Sequence, residues 1–499
     1  MSKKVVIIGG GIAGLNAAIE LLQNGYDVSL YEKNANVGGL CYGYFKDGYN
    51  IDTCLHWLMG TKKGTIINKL WYNIDALNDD VEISQLPNFC TFFYEGVKVT
   101  FSRNIDEEEK RWKELSPRDE KAIESFFGCV RSLGKLWDYV QTIERKKITM
   151  DLIKHLSNSG KILQAMKYSR DEYSRKFTHP ALRFAIKNAM TGYNNAFFFM
   201  QVYGLFSVND GNVPMGGAYY MIDRIKNKFL SLGGDLHLNT KVDRLVLDKN
   251  GSVKSIKIGK ELVNADYFIS ALDVNYTLKE LLSNKYHLRR FNYLNKNIKN
   301  YTISSCFCVY LKVKDFKNDI DTPTNIKINK VKVGSKHVNS LLIRPYAFDK
   351  TFDYKGDAVI SLFVDQDQDD YNYLKKQKDY KKEHQRIVDD LISEFIRNYP
   401  QYENKIEALT SFGPLELNVQ TNTSYGSIQS YSLTDKGMFY SFKGKLRKIP
   451  NLYMCGQWNR SIGGTPTALL TSHYTVEKIL KREKYLSYLT KVKLPKISK

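Results

Sequence analysis

"VVIIGGGIAGLNAAIELL", Val5 to Leu22, follows Met-Ser-Lys-Lys and admits two readings. A secretion signal needs a charged start, an apolar run and a small-residue cleavage site, and Lys3, Lys4 and the aliphatics after them meet only the first two. No Ala-x-Ala-like site follows before Glu20, and three consecutive glycines suit an apolar helix poorly. The second reading gives each glycine its own task. Val5 to Ile8 make a short strand buried on both faces, and Gly9-x-Gly11-x-x-Gly14 opens an amphipathic helix. Gly9 permits the tight turn, Gly11 lets a pyrophosphate approach the backbone, and Gly14 lets helix and strand pack closely. The phosphate then meets free amides and the positive end of the helix dipole. "YDVSLYE" supplies a second strand ending at Glu32, eighteen residues past Gly14, whose carboxylate can accept hydrogen bonds from a ribose. The stretch is therefore read as a dinucleotide cradle.

The cradle alone does not separate FAD from NAD, since both carry an ADP half. Beyond it, "EKNANVGGLCYGYFKDGYNIDTCLHWLMG" places Gly38-Gly39 six and seven residues after Glu32, then the turn Gly48 to Asp52, then His56-Trp57. Together with "NVPMGGAYYMIDRIKNKFLSLGGDLHLNTKVDRL" and "IPNLYMCGQWNRSIGGTPTALLTSHYTVEKIL", this resembles the fingerprint of the flavin-dependent amine oxidase and phytoene desaturase superfamily, in the family's order and across almost the whole chain. The resemblance implies an α/β fold: a Rossmann-type FAD-binding domain with an interleaved substrate domain and a helical cap. It implies FAD held at Gly9, Gly11, Ala13, Gly14, Glu32, Lys33, Gly38, Gly39, Leu40, Val242, Gly456, Gly463, Gly464, Thr465, Pro466 and Thr467, with Val242 at the adenine edge. The last block also makes local sense. Asn451 to Cys455 form a buried strand ended by Gly456, and Thr465 caps a helix with Pro466 at its first position. Such a helix N-terminus, aimed at a flavin, would stabilise the negative charge gained on reduction.

Composition bounds the rest. With 499 residues and 43% hydrophobic content, the chain can bury a large core and divides into two domains. No run approaches the ~18 to 20 apolar residues of a spanning helix. The longest apolar candidate, "AFFFMQVYGLF" from Ala196 to Phe206, is a core segment or a tunnel lining, and Phe197, Phe198, Phe199 and Met200 are the substrate-contact candidates within it. Seven cysteines without a C-x-x-C or C-x4-C pair fit neither a disulfide framework nor a disulfide reductase, and Cys306 and Cys308 share one face of a strand as core residues. Eight scattered histidines give no metal spacing, so no metal is expected. One dinucleotide fingerprint argues against a separate NAD(P)H domain. The balance of 74 basic against 53 acidic residues carries no recognised nucleic-acid motif, so nucleic acid is not an expected partner. The tail "KREKYLSYLTKVKLPKISK", Lys481 to Lys499, holds seven basic residues against one Glu, interleaved with apolar ones. It is read as a solvated terminus or as a peripheral contact with anionic lipid, at ~1 kcal/mol per basic residue near the surface. The expected location is cytoplasmic, with peripheral contact at the inner face of a membrane.

The chain divides into a first FAD-binding segment 1–105, a mainly helical cap 106–204, a second FAD-binding segment 205–275, a substrate sheet with helices 276–405, a third FAD-binding segment 406–480 and the basic tail 481–499. In the cap, Ser116 and Pro117 start a helix on which Ile123, Phe126, Phe127, Val130 and Leu133 recur at helical spacing. The details "GYNIDTCLHWLMG" and "ADYFISALDVNYTLKELL" look closest to the phytoene desaturase, carotenoid isomerase and retinol saturase branch. That implies an apolar substrate and desaturation, saturation or isomerisation of carbon-carbon double bonds in a long polyene. A flavin amine oxidase and a non-catalytic lipid-binding protein on the same fold are the alternatives. The cofactor carries such chemistry, which accounts for the lack of an acid-base motif. His56 is the one titratable candidate near the ring, and it reads equally as a structural histidine.

Overall fold

The computed structural model describes residues 2–141, 158–190, 192, 194–432, 434, 437 and 439–482. Val5 to Ile8 lie within the strand Lys4–Ile8, at the centre of a five-stranded parallel sheet. In order across the sheet run Leu452–Met454, Tyr267–Ser270, Lys4–Ile8, Asp27–Tyr31 and Asp235–His237. Val5 pairs with Tyr267 on one side and Val28 on the other. Four aliphatics in a row suit this place because both faces are covered. The helices Ile12–Gln23, Gly217–Ser231 and Thr465–Arg482 bury their apolar faces against one side of it. Asn250-Gly251 turns the antiparallel strands Arg244–Leu247 and Val253–Ile258, with Asp248 Oδ1 accepting the Asn250 and Ser252 amides.

A second sheet of seven strands is ordered Ile406–Phe412, Ser304–Val313, Ala358–Asp367, Lys336–Pro345, Thr324–Val333, Asn88–Tyr94 and Val97–Ser102. Period-two alternation assigns its faces. Phe307, Val309, Leu311, Ile343 and Leu362 pack with Ile387, Leu391 and Phe395 of the helix Tyr380–Asn398. Cys306, Cys308, Tyr310, Leu342 and Phe363 point to the other side, toward the helical cap. This pairing moves two domain boundaries. Asn88–Tyr94 and Val97–Ser102, assigned by sequence to the first FAD-binding segment, are the edge of the second sheet, with Thr91 beside Thr324. Ile406–Phe412, assigned to the third FAD-binding segment, pairs with Ser304–Val313. Strand pairing between segments far apart in sequence leaves no local signal, which is why spacing misplaced both.

The cap is helical at Ile105–Leu115, Glu120–Gln141, Ser159–Ala165, Pro180–Asn188 and Ala196–Ser207. Glu120–Gln141 and Ala196–Ser207 cross at two glycines. A Cβ on Gly134 would lie 2.5 Å from Gly204 O, and one on Gly204 would lie 2.6 Å from Val130 O. Ser116 does precede the short turn Pro117–Asp119, but its hydroxyl donates to Asp119 Oδ2 at 2.8 Å instead of capping an amide. Asp119 in turn accepts the Thr178 and His179 amides, tying two cap segments together. The basic tail lies outside the described residues from position 483 onward. Among the described residues no helix is long and apolar enough to cross a membrane.

Candidate functional site

The fingerprint glycines fall into two kinds. Gly9 has φ +103°, and a Cβ there would lie 2.7 Å from Leu272 Cδ2; one on Gly14 would lie 1.9 Å from Gly9 O, and one on Gly38 2.6 Å from Cys41 O. These three are glycine because the protein's own chain occupies the space. At Gly11, Gly456 and Gly464 an added Cβ would meet nothing nearer than 3.8 Å. Those three border one continuous cavity of ≈ 2420 Å³, counting its solvent-open mouth. Backbone open to a cavity is what a bound pyrophosphate and ring system need. Gly38 N donates to Gly10 O at 2.8 Å and so brings the Gly38-Gly39 turn against the first glycine loop. Ala13, Glu32, Lys33, Gly39, Leu40 and Val242 border the same cavity, as do Thr465 and Pro466. Gly14, Gly463 and Thr467 do not border it, and Gly463 is held against Ser430, whose amide would lie 2.7 Å from an added Cβ.

Glu32 is buried, with Oε2 accepting Gly10 N at 2.8 Å and Oε1 accepting Asn34 N at 2.9 Å. A carboxylate has about four acceptor positions, so capacity for ribose hydroxyls remains. Lys33 Nζ donates to Val419 O and to Asn422 Oδ1, binding the loop after the second strand to the end of the helix Pro414–Thr421. At the other end, the helix begins at Thr465 itself. Gly464 O accepts the Ala468 amide, so Gly464 holds the place expected of Thr465. Gly464 N donates to Gln457 Oε1 at 3.0 Å, and Gly456 N to Thr471 Oγ1 at 3.0 Å. These bonds fix both glycines beside the helix N-terminus. The set fits FAD.

Past the cradle the cavity continues between the two sheets. His56 and Trp57 border it there. Asp52 sets their position: its buried carboxylate accepts the Cys54, Leu55 and Ala218 amides at 2.6 to 2.8 Å, joining the turn before His56 to the start of the helix Gly217–Ser231. Burial pushes the Asp52 carboxyl up to about 6 despite those amides. His56 is half-buried; burial, and then the guanidinium of Arg344, push its imidazole well below the ordinary value. It is therefore neutral at physiological pH. Asp273, also on the cavity wall, is pushed up to about 6 by burial and accepts Ser424 N, Ser424 Oγ and Asn275 N. Sequence reasoning passed over Arg344. It is 8% exposed, borders the cavity and lies with its guanidinium 4.2 Å from the centre of the Phe363 ring. Its apolar strand "SLLIRP" gave a faint signal, since a lone arginine in a buried run calls for a partner or a role.

Of the stretch Ala196 to Phe206, its last residue, Phe206, borders the cavity, but the four substrate-contact candidates Phe197, Phe198, Phe199 and Met200 do not. Phe199 and Met200 are fully buried in the cap core, where Phe199 lies 5.0 Å from Phe101 and 5.9 Å from Phe126, ring centre to ring centre. Phe197 and Phe198 border a separate small pocket with Met166 and Phe439. A helix apolar on all sides packs into whatever surrounds it, so hydrophobicity alone could not tell core from tunnel. With Phe206, the apolar wall of the cavity comes from Leu86, Phe89, Met190, Leu342 and Phe363. Cys306 reaches it too, its thiol pushed well up by burial.

A parallel nucleotide-binding sheet, a mixed and mainly antiparallel second sheet and a glycine-lined cavity between them define an FAD-dependent oxidoreductase. The family model for flavin containing amine oxidoreductases matches residues 12–480, and the chain belongs to that family. Among curated proteins it is similar to the 4,4'-diaponeurosporene oxygenase of Staphylococcus aureus strain bovine RF122 / ET3-1, with 23% identity over 97% of this chain and 99% of that protein. Solved structures with the same fold include an oxidoreductase from Methanosarcina mazei (14% identity, 96% and 100% of the two chains, TM-score 0.58). Putrescine oxidase bound to putrescine is a second (13%, 97% and 100%, TM-score 0.60), and cyclohexylamine oxidase from Brevibacterium oxydans a third (13%, 96% and 100%, TM-score 0.57).

Proposed function

We propose that the protein acts on carbon-carbon bonds of a long apolar polyene, such as a carotenoid, a retinoid or an unsaturated lipid, by desaturation, saturation or isomerisation. One observation carries the reading: the cavity leaves the cradle past His56 and Trp57 and ends among mainly apolar side chains, with Asn88, Asn188, Gln429 and Arg344 between them, and among the described residues of that half no Asp or Glu borders it. A protonated amine would meet no carboxylate there. A long hydrocarbon chain suits the same walls. The similarity to a diaponeurosporene oxygenase supports a polyene as substrate, and that relative's name adds oxygenation to the reactions worth assaying.

When bound, FAD supplies the hydride acceptance and return that such reactions need. The chain's own residues bind and orient. Gly11, Gly456 and Gly464 leave room for the cofactor, and the start of the helix Thr465–Arg482 stabilises negative charge beside it. Leu86, Phe89, Phe206 and Phe363 exclude water. Neutral His56 accepts or donates a hydrogen bond without adding charge. The test is anaerobic mixing of oxidised and of dithionite-reduced holoenzyme with carotenoids, retinoids and unsaturated fatty acids, followed by product analysis. Conversion of a polyene in one redox state supports the reading. Bleaching of the flavin by a primary or secondary amine, with every polyene unchanged, overturns it in favour of an amine oxidase. A purified protein without flavin colour would point to a lipid-binding module.

A further inference from the structure

We propose that Cys41 and Cys54 are a reversible dithiol–disulfide couple on the wall of the cofactor cavity, exchanging an electron pair with the bound flavin. Both thiols are free and stand thirteen positions apart in the chain, so no C-x-x-C spacing announces them. A hairpin brings them together. In the antiparallel strands Gly43–Lys46 and Tyr49–Asp52, Gly43 lies opposite Asp52, and one step further out the Thr53 amide and hydroxyl both donate to Tyr42 O, at 3.0 and 2.7 Å. The next step outward sets Cys41 against Cys54, and their thiols share a hydrogen bond. Residues facing each other across such a ladder have Cα atoms about 4.5 to 5.5 Å apart, inside the range that an S–S bond accepts. Both arms are already pinned: Cys41 N donates to Gly38 O at 3.1 Å, and Cys54 N to the Asp52 carboxylate at 2.8 Å. Closing the S–S bond therefore orders little that is not ordered beforehand.

Both cysteines border the cavity. Cys41 lies two residues past the cradle glycines Gly38 and Gly39, and Cys54 two before His56, so the pair stands where the cradle passes into the substrate end. Cys41 is 3% exposed, and its hydrogen bond to Cys54, with burial, holds its thiol well above the ordinary value. It is the protonated member, and half-buried Cys54 the more open sulfur. The step balances on the cofactor alone. Two S–H bonds break and one S–S bond forms; the electron pair and one proton pass to oxidised flavin, and the second proton leaves through the solvent-open mouth. In reverse, the disulfide takes an electron pair and a proton from reduced flavin and a second proton from water, the S–S bond breaks, and both thiols return. The protein then holds two electron pairs, one on the cofactor and one on sulfur. This rests on the FAD assignment and not on the polyene reading.

The experiment treats the holoenzyme with diamide, removes the excess and titrates anaerobically with dithionite, with no substrate present. Wild type is expected to take up about four electrons per flavin, and Cys41→Ser and Cys54→Ser about two each, since each couple carries an electron pair. Alkylation and peptide mass spectrometry should find Cys41 and Cys54 joined before the titration and both alkylated after it. A second arm sends electrons in through the flavin alone, by light in the presence of EDTA: the joined pair should open in the light and persist in the dark. A two-electron wild type, four-electron serine variants, or a pair still joined once the flavin has bleached in the light overturns the inference. Should a serine variant fail to hold FAD, the wild-type count and the mapped peptides decide. Because neither polyene nor amine enters the titration, its failure leaves the proposed reaction standing, and failure of that reaction leaves the electron count untouched.

Discussion

The two ends of the cavity are made in different ways. The cradle end is made of backbone: glycines at the turns after the strands Lys4–Ile8 and Leu452–Met454, and the first turn of two helices. The substrate end is made of side chains from segments far apart in sequence, among them Trp57, Phe89, Met190, Arg344 and Phe363. A backbone site demands a particular residue type at each step, because only glycine leaves the space or tolerates the conformation. A side-chain site demands only an apolar residue facing inward, and many sequences meet that.

The comparison breaks most sharply at Gly14. A side chain there collides with Gly9 O, so Gly14→Leu is expected to abolish bound flavin, read as loss of yellow colour in the purified protein. A fully coloured variant would refute the assignment of Gly14 to strand-helix packing. Phe199 tests the opposite claim, that the aromatic stretch is core. Phe199→Ala should cost about 3 to 5 kcal/mol of stability in denaturant unfolding. Normal stability with altered substrate binding would return Phe199 to a tunnel. Gly11→Ala sharpens the distinction among glycines. Its φ of −73° is open to any residue, so the apoprotein should be as stable as wild type within about 0.5 kcal/mol, while flavin affinity falls about tenfold, ~1.4 kcal/mol, by titration.

A smaller effect is expected where the first and last helices meet. His473 Nδ1 lies 3.0 Å from both oxygens of Glu20, and both residues are buried. Burial opposes charge on the imidazole, but the hydrogen bond and charge of Glu20 outweigh it and hold the His473 pKa above its ordinary value. A raised folded-state pKa stabilises fully below the unfolded value of about 6.5 and loses that contribution as pH rises through the folded value. The melting-temperature deficit of His473→Gln should therefore be larger at about pH 5.5 than at about pH 9. A deficit independent of pH would refute the charged pair. Smallest for the folded protein is removal of Lys484 to Lys499, which should leave flavin content and stability unchanged. It should weaken binding to anionic liposomes, most clearly at low salt. Equal binding of both forms across a salt series would end the membrane proposal.

The reading from sequence followed the same division. Gly9, Gly11 and Gly14 each have a backbone reason that spacing displays, Glu32 was read from its carboxylate at the end of the second strand, and Gly38 and Gly456 entered through the family resemblance. Thr465 was one position out, since Gly464 supplies the carbonyl that starts the helix. The hairpin 88–102 and the strand 406–412 went to the wrong sheet because the strands that join them to it, Thr324–Val333 and Ser304–Val313, lie more than 90 residues away along the chain.

By itself the sequence determined the dinucleotide cradle, the parallel strands that carry it and the family, because close backbone packing and positive φ restrict the residue type wherever the chain folds. Only the tertiary structure decided which apolar residues line the cavity and that Arg344 faces into it. Alternation along a strand states that a residue points to one side or the other; which side holds a core and which a cavity depends on what packs against the sheet.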